Sequence, residues 1–520
     1  MSAHAVVIAG GGPTGLVLAG ELALAGVDVA VVERRADRAL EGSRAGGLHA
    51  RTIEVLDQRG IAGPFLEEGQ QAQTAGFAGV TIDLAGFPTR HPYGIGLWQN
   101  RIEAHLADWV DRLPVTFHRG REVVGLEQDA TGVDVLLSDG GTLRADWLVG
   151  CDGGRSAVRK AAGFAFPGSA ATTSNLIGEV EMDDEPELGV HRGPFGIYAF
   201  GKEDYEIVDG EVVYAEGGPV RVMLTEEHVG AGEPTFEDLR AAVVATTGSD
   251  HGMRDPVWIS RFTDAARQVE RYRDRRVLLA GDAAHVHPPD GGFGLQTGVQ
   301  DAVNLGWKLA RVVDGTAPEG LLDSYHAERH PVGATVLRHA MASTVLRRPD
   351  ERTTALRETV AGLLGTEEAR NALAAEMTGL GIRYDLGDGH PLLGRRVPDL
   401  DLVTADGPVR VFEFLHEARP VLLDLGASAL DPVGCGTEAP VRGGTEGPGD
   451  APSTVDPGPW ADRVRTVRAR CDGPWELPAI GAVEAPPALL VRPDGYVAWV
   501  GDGDGAGLAA AMGRWFGPAG

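Results

Sequence analysis

The feature that most constrains this sequence is a glycine-rich turn at residues 10–15, which has the pattern G-x-G-x-x-G and directly follows an apolar run. Residues 6–8 are typical of a buried strand, and residues 16–25 are rich in Leu and Ala at helical spacing. A second apolar strand, residues 27–32, ends at Glu33. Strand, glycine turn, helix and strand in this order predict the opening unit of a Rossmann-like α/β fold.

The positions of the glycines predict a dinucleotide site. Gly10 permits the tight turn, Gly12 lets a pyrophosphate approach the backbone, and Gly15 allows the helix to pack closely against the strand. The helix N-terminus offers free N–H groups to the phosphates, and Glu33 is placed to accept hydrogen bonds from a ribose. A purely structural turn is the alternative, because glycine is common in this chain.

Two further predicted strands also end in glycine and an acid. Residues 143–149 lead to Asp152 in a Cys-Asp-Gly-Gly sequence, and residues 276–280 lead to Gly281 and Asp282. A run of Pro and Gly at residues 288–294 then precedes an amphipathic helix. We expect these loops to converge on one ligand; the alternative is that both aspartates only cap loops and helices.

The rest of the chain divides by pattern. Between about 170 and 270, short β-branched and aromatic runs separated by Gly, Pro and Asp predict an inserted antiparallel sheet. Residues 321–378 look helical, strands return beyond residue 394, and residues 426–460 indicate a long flexible loop. We expect segments 1–170 and 271–390 to form the dinucleotide-binding domain with a helical region. Residues 171–270 would form the inserted sheet and residues 391–520 a C-terminal domain.

Composition excludes several classes of protein. The 520 residues suffice for about three to four domains, and 43% hydrophobic residues is too many for a disordered chain. A net charge of −28 opposes general binding to nucleic acid or to anionic membrane surfaces. The three cysteines are scattered, and neither a signal peptide nor a membrane span is apparent. We therefore expect a cytoplasmic protein without a structural metal.

Together these motifs resemble those of the FAD-dependent class A monooxygenases. The likeness sharpens at residues 43–52 and 57–60, at NLGWKL in 304–309 and at LDSYHAERHP in 322–331. These segments look like the bacterial aromatic polyketide hydroxylases, which include angucycline and anthracycline tailoring enzymes and the related rifampicin monooxygenase. The resemblance covers nearly the whole chain. It implies a Rossmann-like FAD-binding domain with an inserted antiparallel β-sheet substrate domain and a C-terminal thioredoxin-like domain.

The resemblance also implies an activity. A class A monooxygenase binds FAD, takes hydride from NADPH or NADH as a transient co-substrate, and uses O2 to form a flavin C4a-hydroperoxide in a dry site. A polycyclic aromatic polyketide would be hydroxylated by a monomer or homodimer. The thioredoxin-like domain lacks Cys-x-x-Cys, so we expect it to have a structural or dimer-supporting role.

Residue roles follow from the matched motifs. Asp282 would bind the ribityl chain, and Asp152 would contribute to both FAD and NAD(P)H binding. Arg44 would lie near the FAD phosphates, with an exposed ion pair as the alternative. Gln99 would lie near the ribityl chain or the flavin ring, with an ordinary surface amide as the alternative. The expected FAD-binding residues are Gly10, Gly12, Pro13, Thr14, Gly15, Glu33, Arg34, Arg44, Gln99, Val123, Asp152, Gly281, Asp282, Pro289, Gly292, Gly294, Leu295 and Gln296.

The flavin loop departs from its relatives. They commonly read Gly-Gly-Gln-Gly-Met-Asn, whereas residues 291–296 here read Gly-Gly-Phe-Gly-Leu-Gln. Backbone N–H groups can still meet the flavin C2 carbonyl, but Phe293 and Gln296 change the side chains nearest the ring. We expect Trp98 or Phe293 to stack on the substrate, with core packing as the alternative. No catalytic side chain is assigned, since His285 and His287 also suit a role in satisfying backbone groups.

Other activities compete with hydroxylation. Baeyer–Villiger insertion and epoxidation use the same oxidant, and a flavin-holding protein that binds a polyketide without turnover would need the same motifs. An NAD-dependent dehydrogenase explains Glu33 but leaves Asp282 unexplained. A flavin-dependent halogenase would carry Trp-x-Trp-x-Ile-Pro, and residues 475–478 do not match it.

Overall fold

The computed structural model describes residues 3–40, 42–77, 80–208, 211–230, 232–348, 350–426, 455–502 and 505–519. Most of the predicted flexible loop, residues 427–454, lies outside the described residues. The α-helices within these ranges, numbered in chain order, are α1 (Pro13–Leu24), α2 (Ala50–Asp57), α3 (Ala62–Glu68), α4 (Gln99–Val110), α5 (Ala157–Ala161), α6 (Phe236–Thr247), α7 (Phe293–Val313), α8 (Asp323–Leu346), α9 (Glu351–Leu363), α10 (Glu367–Met377) and α11 (Leu508–Phe516).

An eight-stranded sheet forms the centre of the N-terminal part. Six strands lie in the order Arg273–Asp274, Val277–Leu279, Thr142–Gly150, Ala3–Ala9, Val29–Glu33 and Val115–Arg119, and Val133–Leu137 and Val123–Gln128 extend it as an antiparallel meander. The last five strands of this order run parallel. The Val, Ile and Leu residues of the first four of these parallel strands are buried on both faces, as continuous apolar runs predict.

The parallel strands bring the predicted loops together. Neighbouring strands end at Ala9, Glu33, Gly150 and Leu279, so the glycine turn and both aspartate loops begin at one edge of the sheet. Ligands of open α/β sheets bind beyond this edge. The fold therefore creates a cleft at the place where the sequence predicts the dinucleotide.

The first helix begins earlier than the apolar pattern indicates. The sequence predicts a helix over residues 16–25, but α1 starts at Pro13. Gly12 is its N-cap and Pro13 occupies the first helical turn, where a missing N–H costs nothing. The glycine turn is thus directly continuous with the helix N-terminus.

The predicted inserted sheet is present and antiparallel. Its strands lie in the order Gly189–Arg192, Ile197–Gly201, Val220–Thr225, Ser174–Glu181 and Arg254–Thr263. Buried and half-buried residues alternate along Val220–Thr225, and α6 covers the apolar face. Smaller ladders join Gly168–Ser169, Ala266–Gln268 and His285–Val286; Gly47–Leu48, Gly94–Gly96 and Gln70–Ala72; Thr74–Phe77 and Val80–Asp83; and Tyr205–Val208 and Glu211–Tyr214.

Helices α8, α9 and α10 occupy the predicted helical region and lead to a C-terminal sheet packed on α11. The strands of this sheet are Arg465–Arg468, Val421–Asp424, Ala488–Val491 and Val497–Gly501, and the hairpins Asp401–Thr404/Gly407–Arg410 and Glu476–Leu477/Gly481–Ala482 flank it. Its first pair is parallel and the others antiparallel. No helix among the described residues is long and apolar enough to cross a membrane, and none of their His, Cys, Asp and Glu side chains form a group of three or more suited to a metal.

Candidate active site

The glycine turn has the geometry that a bound pyrophosphate requires. Gly10 adopts φ +101°, and a Cβ there would overlap the carbonyl of Cys151. A Cβ at Gly15 would overlap the carbonyl oxygen of Gly10, whereas a Cβ at Gly12 would meet nothing within 4 Å. Gly10 and Gly15 are therefore required by the fold, and Gly12 leaves open space beside the N-terminus of α1.

That N-terminus is free to receive an anion. Gly12 supplies no side-chain cap, and the first turn of α1 contains no acidic residue. Pro13 and Thr14 are only partly buried. The positive end of the helix dipole therefore faces the cleft without an acidic residue or a side-chain cap in its own first turn.

Glu33 lies at the other side of the turn as an ionised acceptor. Its carboxylate accepts hydrogen bonds from the Gly11 N–H at 2.6 Å and from the Arg35 N–H at 2.9 Å. Burial by itself raises the pKa of Glu33, but these bonds and the charge of Arg35 outweigh it and lower the pKa. Glu33 therefore keeps its negative charge at the end of its strand.

Arg35, which the sequence analysis does not single out, binds the Glu33 carboxylate, whereas the predicted residue is its neighbour Arg34. Arg35 contacts Glu33 at 3.1 Å and Glu103 at 2.8 Å, while Arg34 is exposed. Residue 35 lies just beyond the end of the strand, two positions from Glu33. A basic residue at this spacing from an acid is the sequence signal that points to the Glu33–Arg35 pair.

Asp152 has its side chain committed to a helix cap. Its carboxylate accepts hydrogen bonds from the Ala157 N–H at 2.7 Å, the Val158 N–H at 3.1 Å and the Ser156 hydroxyl. The loop backbone at Asp152 nevertheless packs against Gly10. The capping alternative therefore describes the side chain of Asp152, whose backbone borders the glycine turn.

Asp282 is in a different situation. It lies in the short 3₁₀ turn Gly281–Ala283, is exposed, and receives no hydrogen bond from the described residues. A Cβ at Gly281 would crowd the Thr14 hydroxyl, and a Cβ at Gly294 would lie 3.7 Å from Asp282 Oδ1. The free carboxylate therefore lies between the N-terminal ends of α1 and α7.

Arg44 faces the same cleft. Its guanidinium donates to the Ser260 hydroxyl at 2.7 Å. Desolvation by the surrounding protein lowers the pKa of Arg44. The negative charge of Asp282 raises this pKa, and the positive charges of Arg155 and Arg34 lower it. The structure thus brings Arg34, Arg44 and Asp282 within electrostatic reach of one another.

Gln99 belongs to a protein network at the start of α4. Its Oε1 accepts from the Ala45 N–H at 3.2 Å, and its Nε2 donates to Glu103 at 2.9 Å. Glu103 in turn binds Arg35. Gln99 therefore ties the segment that carries Arg44 to the Glu33 network.

The N-terminus of α7 also has no side-chain cap for its first backbone N–H groups. Gly292 caps it in a left-handed conformation with φ 67° and no side-chain cap. Gly294 and Leu295 are half-buried, Pro289 is exposed in the preceding loop, and Val123 is buried at the start of its strand. The side-chain amide of Gln296 binds the backbone of Gly47 and His49.

The two aromatic candidates occupy different environments. The Phe293 ring is 5% exposed and packs edge-on to His49 at 5.7 Å within an apolar cluster that includes Phe77 and Leu346. The Trp98 ring is half-buried, and the guanidinium of Arg221 covers one face at 4.3 Å. The core-packing alternative describes Phe293, while Trp98 retains an uncommitted part of its surface.

The residues present fit a flavin dinucleotide. Gly12 and Glu33 lie at one edge of the parallel sheet, and the free Asp282 carboxylate lies between the uncapped N-terminal ends of α1 and α7. A long ligand with a pyrophosphate at its middle, a ribose near Glu33 and a polyol chain near Asp282 matches this set of donors and acceptors.

Comparisons with known proteins agree with this geometry. Residues 3–340 match the FAD binding domain family, and residues 390–519 match the family described as aromatic-ring hydroxylase, C-terminal. Rifampicin monooxygenase of Streptomyces venezuelae is 42% identical over 524 residues, 99% of each chain. The solved structure of the OxyS anhydrotetracycline hydroxylase from Streptomyces rimosus has a TM-score of 0.86 and 42% identity and covers 100% of both chains. Dialkyldecalin synthase of Streptomyces rugosporus is 38% identical over 521 residues, 99% of each chain.

Proposed function

The chain belongs to the family of FAD-binding aromatic-ring hydroxylases, and we propose that it hydroxylates a polycyclic aromatic polyketide with NADPH or NADH and O2 as co-substrates. Its similarity to monooxygenases over the full chain identifies it as an FAD-dependent monooxygenase. The observation that supports the proposal is that Gly12, Glu33 and Asp282 all lie at or just beyond the ends of strands that finish at one edge of the parallel sheet. The protein is proposed to be a monomer or a homodimer. A cytoplasmic location is also proposed, because the scattered cysteines do not form the disulfide pattern of a protein from an oxidising compartment.

The proposed cofactor contacts follow the order of the cleft. The Gly12 backbone and the N-terminus of α1 hold the pyrophosphate, and Glu33 accepts from the adenosine ribose. Asp282 accepts from the ribityl hydroxyls, and the backbone N–H groups of Gly294 and Leu295 bind the flavin C2 carbonyl. Arg44 contributes positive charge near the phosphates. When bound, FAD supplies the oxygen-activating chemistry.

The chain's own part in the reaction is to orient the substrate and exclude water. The apolar cluster around Phe293 forms a dry wall beside the start of α7. Trp98, on the side of the inserted sheet, offers a flat surface to a fused aromatic ring. The polyketide class is proposed from the relatives, one of which carries anhydrotetracycline in its name.

The test uses the purified full-length protein. We expect a yellow preparation that holds FAD non-covalently and consumes NADPH and O2 faster when an anhydrotetracycline-like or angucyclinone substrate is added. NMR of the product then separates hydroxylation from Baeyer–Villiger insertion and epoxidation. A flavin-free protein that cannot be reconstituted with FAD would refute the proposal.

A second candidate is a protein that holds FAD and binds a polyketide without oxidising it. The name of the relative dialkyldecalin synthase, which does not describe an oxidation, favours keeping this candidate. It predicts tight substrate binding with no substrate-dependent NADPH oxidation. The NADPH assay therefore decides between the two.

A further inference from the structure

A buried aspartate supports the turn that carries Asp282. Asp301 on α7 is fully buried, and its carboxylate accepts from the Gly281 N–H at 3.1 Å and contacts His285 Nε2 at 2.8 Å. Gly281 and His285 lie at the two sides of the turn. One carboxylate thus holds both ends of the segment that presents Asp282 to the cleft.

Arg329 on α8 holds Asp301 from the opposite side. Its Nε donates to Asp301 Oδ1 at 2.7 Å, and its terminal nitrogens donate to the Thr297 carbonyl at 3.2 Å and the Tyr384 hydroxyl at 3.3 Å. Tyr384 stacks on Tyr496 of the C-terminal part, with ring centroids 4.2 Å apart. Contacts therefore run without a gap from the C-terminal sheet region to the turn.

The charges in this cluster are balanced. Burial alone raises the pKa of Asp301, but the charges and hydrogen bonds of Arg329 and His285 outweigh burial and lower it. The pKa of Arg329 is raised by the nearby Tyr384 and Asp301, although burial acts in the other direction. A charged, doubly accepting carboxylate is thus the stable form at this position.

Resting on the proposed function, we propose that Asp301 is a positioning residue of the FAD site. It fixes the turn Gly281–Ala283 so that the Asp282 carboxylate faces the ribityl chain, and it does so without touching the cofactor. Arg329 keeps the Asp301 carboxylate charged and oriented toward the turn. This assigns a task to Arg329 of the segment 322–331 and to Asp301, neither of which the proposed cofactor contacts explain.

Asp301→Asn tests the proposal because the amide keeps the shape of the carboxylate but has one acceptor oxygen instead of two. We expect the Kd for FAD, measured by flavin fluorescence on deflavinated full-length protein, to rise by about tenfold or more. Amide hydrogen exchange of the peptide that contains Gly281 should become faster in the absence of FAD. The second readout does not depend on catalysis.

Glu21→Gln is the matched control. Glu21 is an equally buried carboxylate on α1, paired with Arg59 at 2.6 and 2.8 Å, and it does not contact the turn. It should lower the free energy of unfolding while leaving the Kd for FAD within about twofold and the exchange at Gly281 unchanged. If Asp301→Asn fails to fold, Arg329→Lys, which keeps the charge but loses the forked geometry, should raise the Kd at least about threefold.

The outcomes separate this proposal from the function. A folded Asp301→Asn protein with wild-type FAD affinity and exchange would overturn the positioning role, as would equal weakening by Glu21→Gln. Wild-type protein that binds no FAD would instead refute the proposed function. Hydrogen exchange at Gly281 would then still report whether Asp301 holds the turn.

Discussion

The amide of Gln296 bridges two backbone groups of the segment that ends at His49. Its Nε2 donates to the Gly47 carbonyl at 2.8 Å, and its Oε1 accepts from the His49 N–H at 3.1 Å. The side chain is 4% exposed. The unusual residue in the flavin loop therefore connects the Arg44-bearing segment to α7.

Gln296→Asn should break this bridge, because the shorter side chain cannot reach both backbone groups. Loss of one or two buried hydrogen bonds predicts a decrease of about 1–3 kcal/mol in the free energy of unfolding, measured by urea titration. Gln300→Asn on the same helix is the control, since its buried Oε1 has no hydrogen-bond partner among the described residues. Equal losses in both variants would mean that the bridge adds nothing.

Gly12 and Gly15 should respond differently to an added methyl group. Gly12→Ala has room for its Cβ, so we expect a folded protein whose Kd for FAD rises about tenfold or more, because the methyl occupies the path of the pyrophosphate. Gly15→Ala forces helix and turn apart and should fail to fold or melt far below wild type. Thermal melts without FAD and flavin titration check both. Normal FAD binding by Gly12→Ala would show that the pyrophosphate does not bind beside Gly12.

Asp282→Asn should lower FAD affinity without lowering stability. The carboxylate is exposed and unpaired among the described residues, so replacing it removes a charge-assisted bond to the ribityl chain worth about 1.5–3 kcal/mol, or about ten- to a hundredfold in Kd. Asp290→Asn is the control, because Asp290 binds Thr344 at 2.6 Å and Arg347. That variant should lose stability and keep FAD. Equal FAD occupancy in the two variants would reject the role of Asp282.

Much of the fold could be predicted because strand and turn patterns are local. The run at residues 6–8, the glycines and Glu33 define one supersecondary unit within 35 residues, and the parallel sheet follows from it. Side-chain partners are set by packing between distant segments, which a single sequence does not display. The roles of Arg35 and Gln296 depend on contacts with residues 68 and 249 positions away.

Asp152 shows the limit of motif reading most clearly. The same Asp-Gly pattern is compatible with cofactor binding and with capping, and only the position of α5 decides where the carboxylate points. Phe293 is similar, since an aromatic residue in a glycine loop suits both a ligand wall and a core. Its cluster combines residues of the 74–87 hairpin region with residues of the helical region α8–α10, and no local pattern specifies how these segments pack.

Asp152→Ala should lower stability and spare FAD. Loss of the bonds to the Ala157 and Val158 N–H groups removes a helix cap, which costs about 1 kcal/mol in the free energy of unfolding. The Kd for FAD should stay within about twofold, because the carboxylate points toward α5. Asp350→Ala, which removes the cap of α9 through Thr353, should also lower stability and serves as the control. A large rise in Kd with unchanged stability would assign Asp152 to the cofactor.

His49 should make the stability of the protein depend on pH. Burial lowers its pKa to about 4, although the carbonyls of Met377 and Gly291 favour the charged form. The unfolded chain, with a pKa near 6.5, therefore binds a proton that the folded state excludes. Stability from this group is complete well above pH 6.5 and is lost as the pH falls toward 4, by about 1.4 kcal/mol at pH 5.5. Urea titrations at pH 8 and pH 5.5 should show that His49→Gln removes this share of the pH dependence. His228→Gln, at an exposed position, controls for the exchange of histidine itself. An unchanged pH dependence in His49→Gln would place the burial penalty on another group.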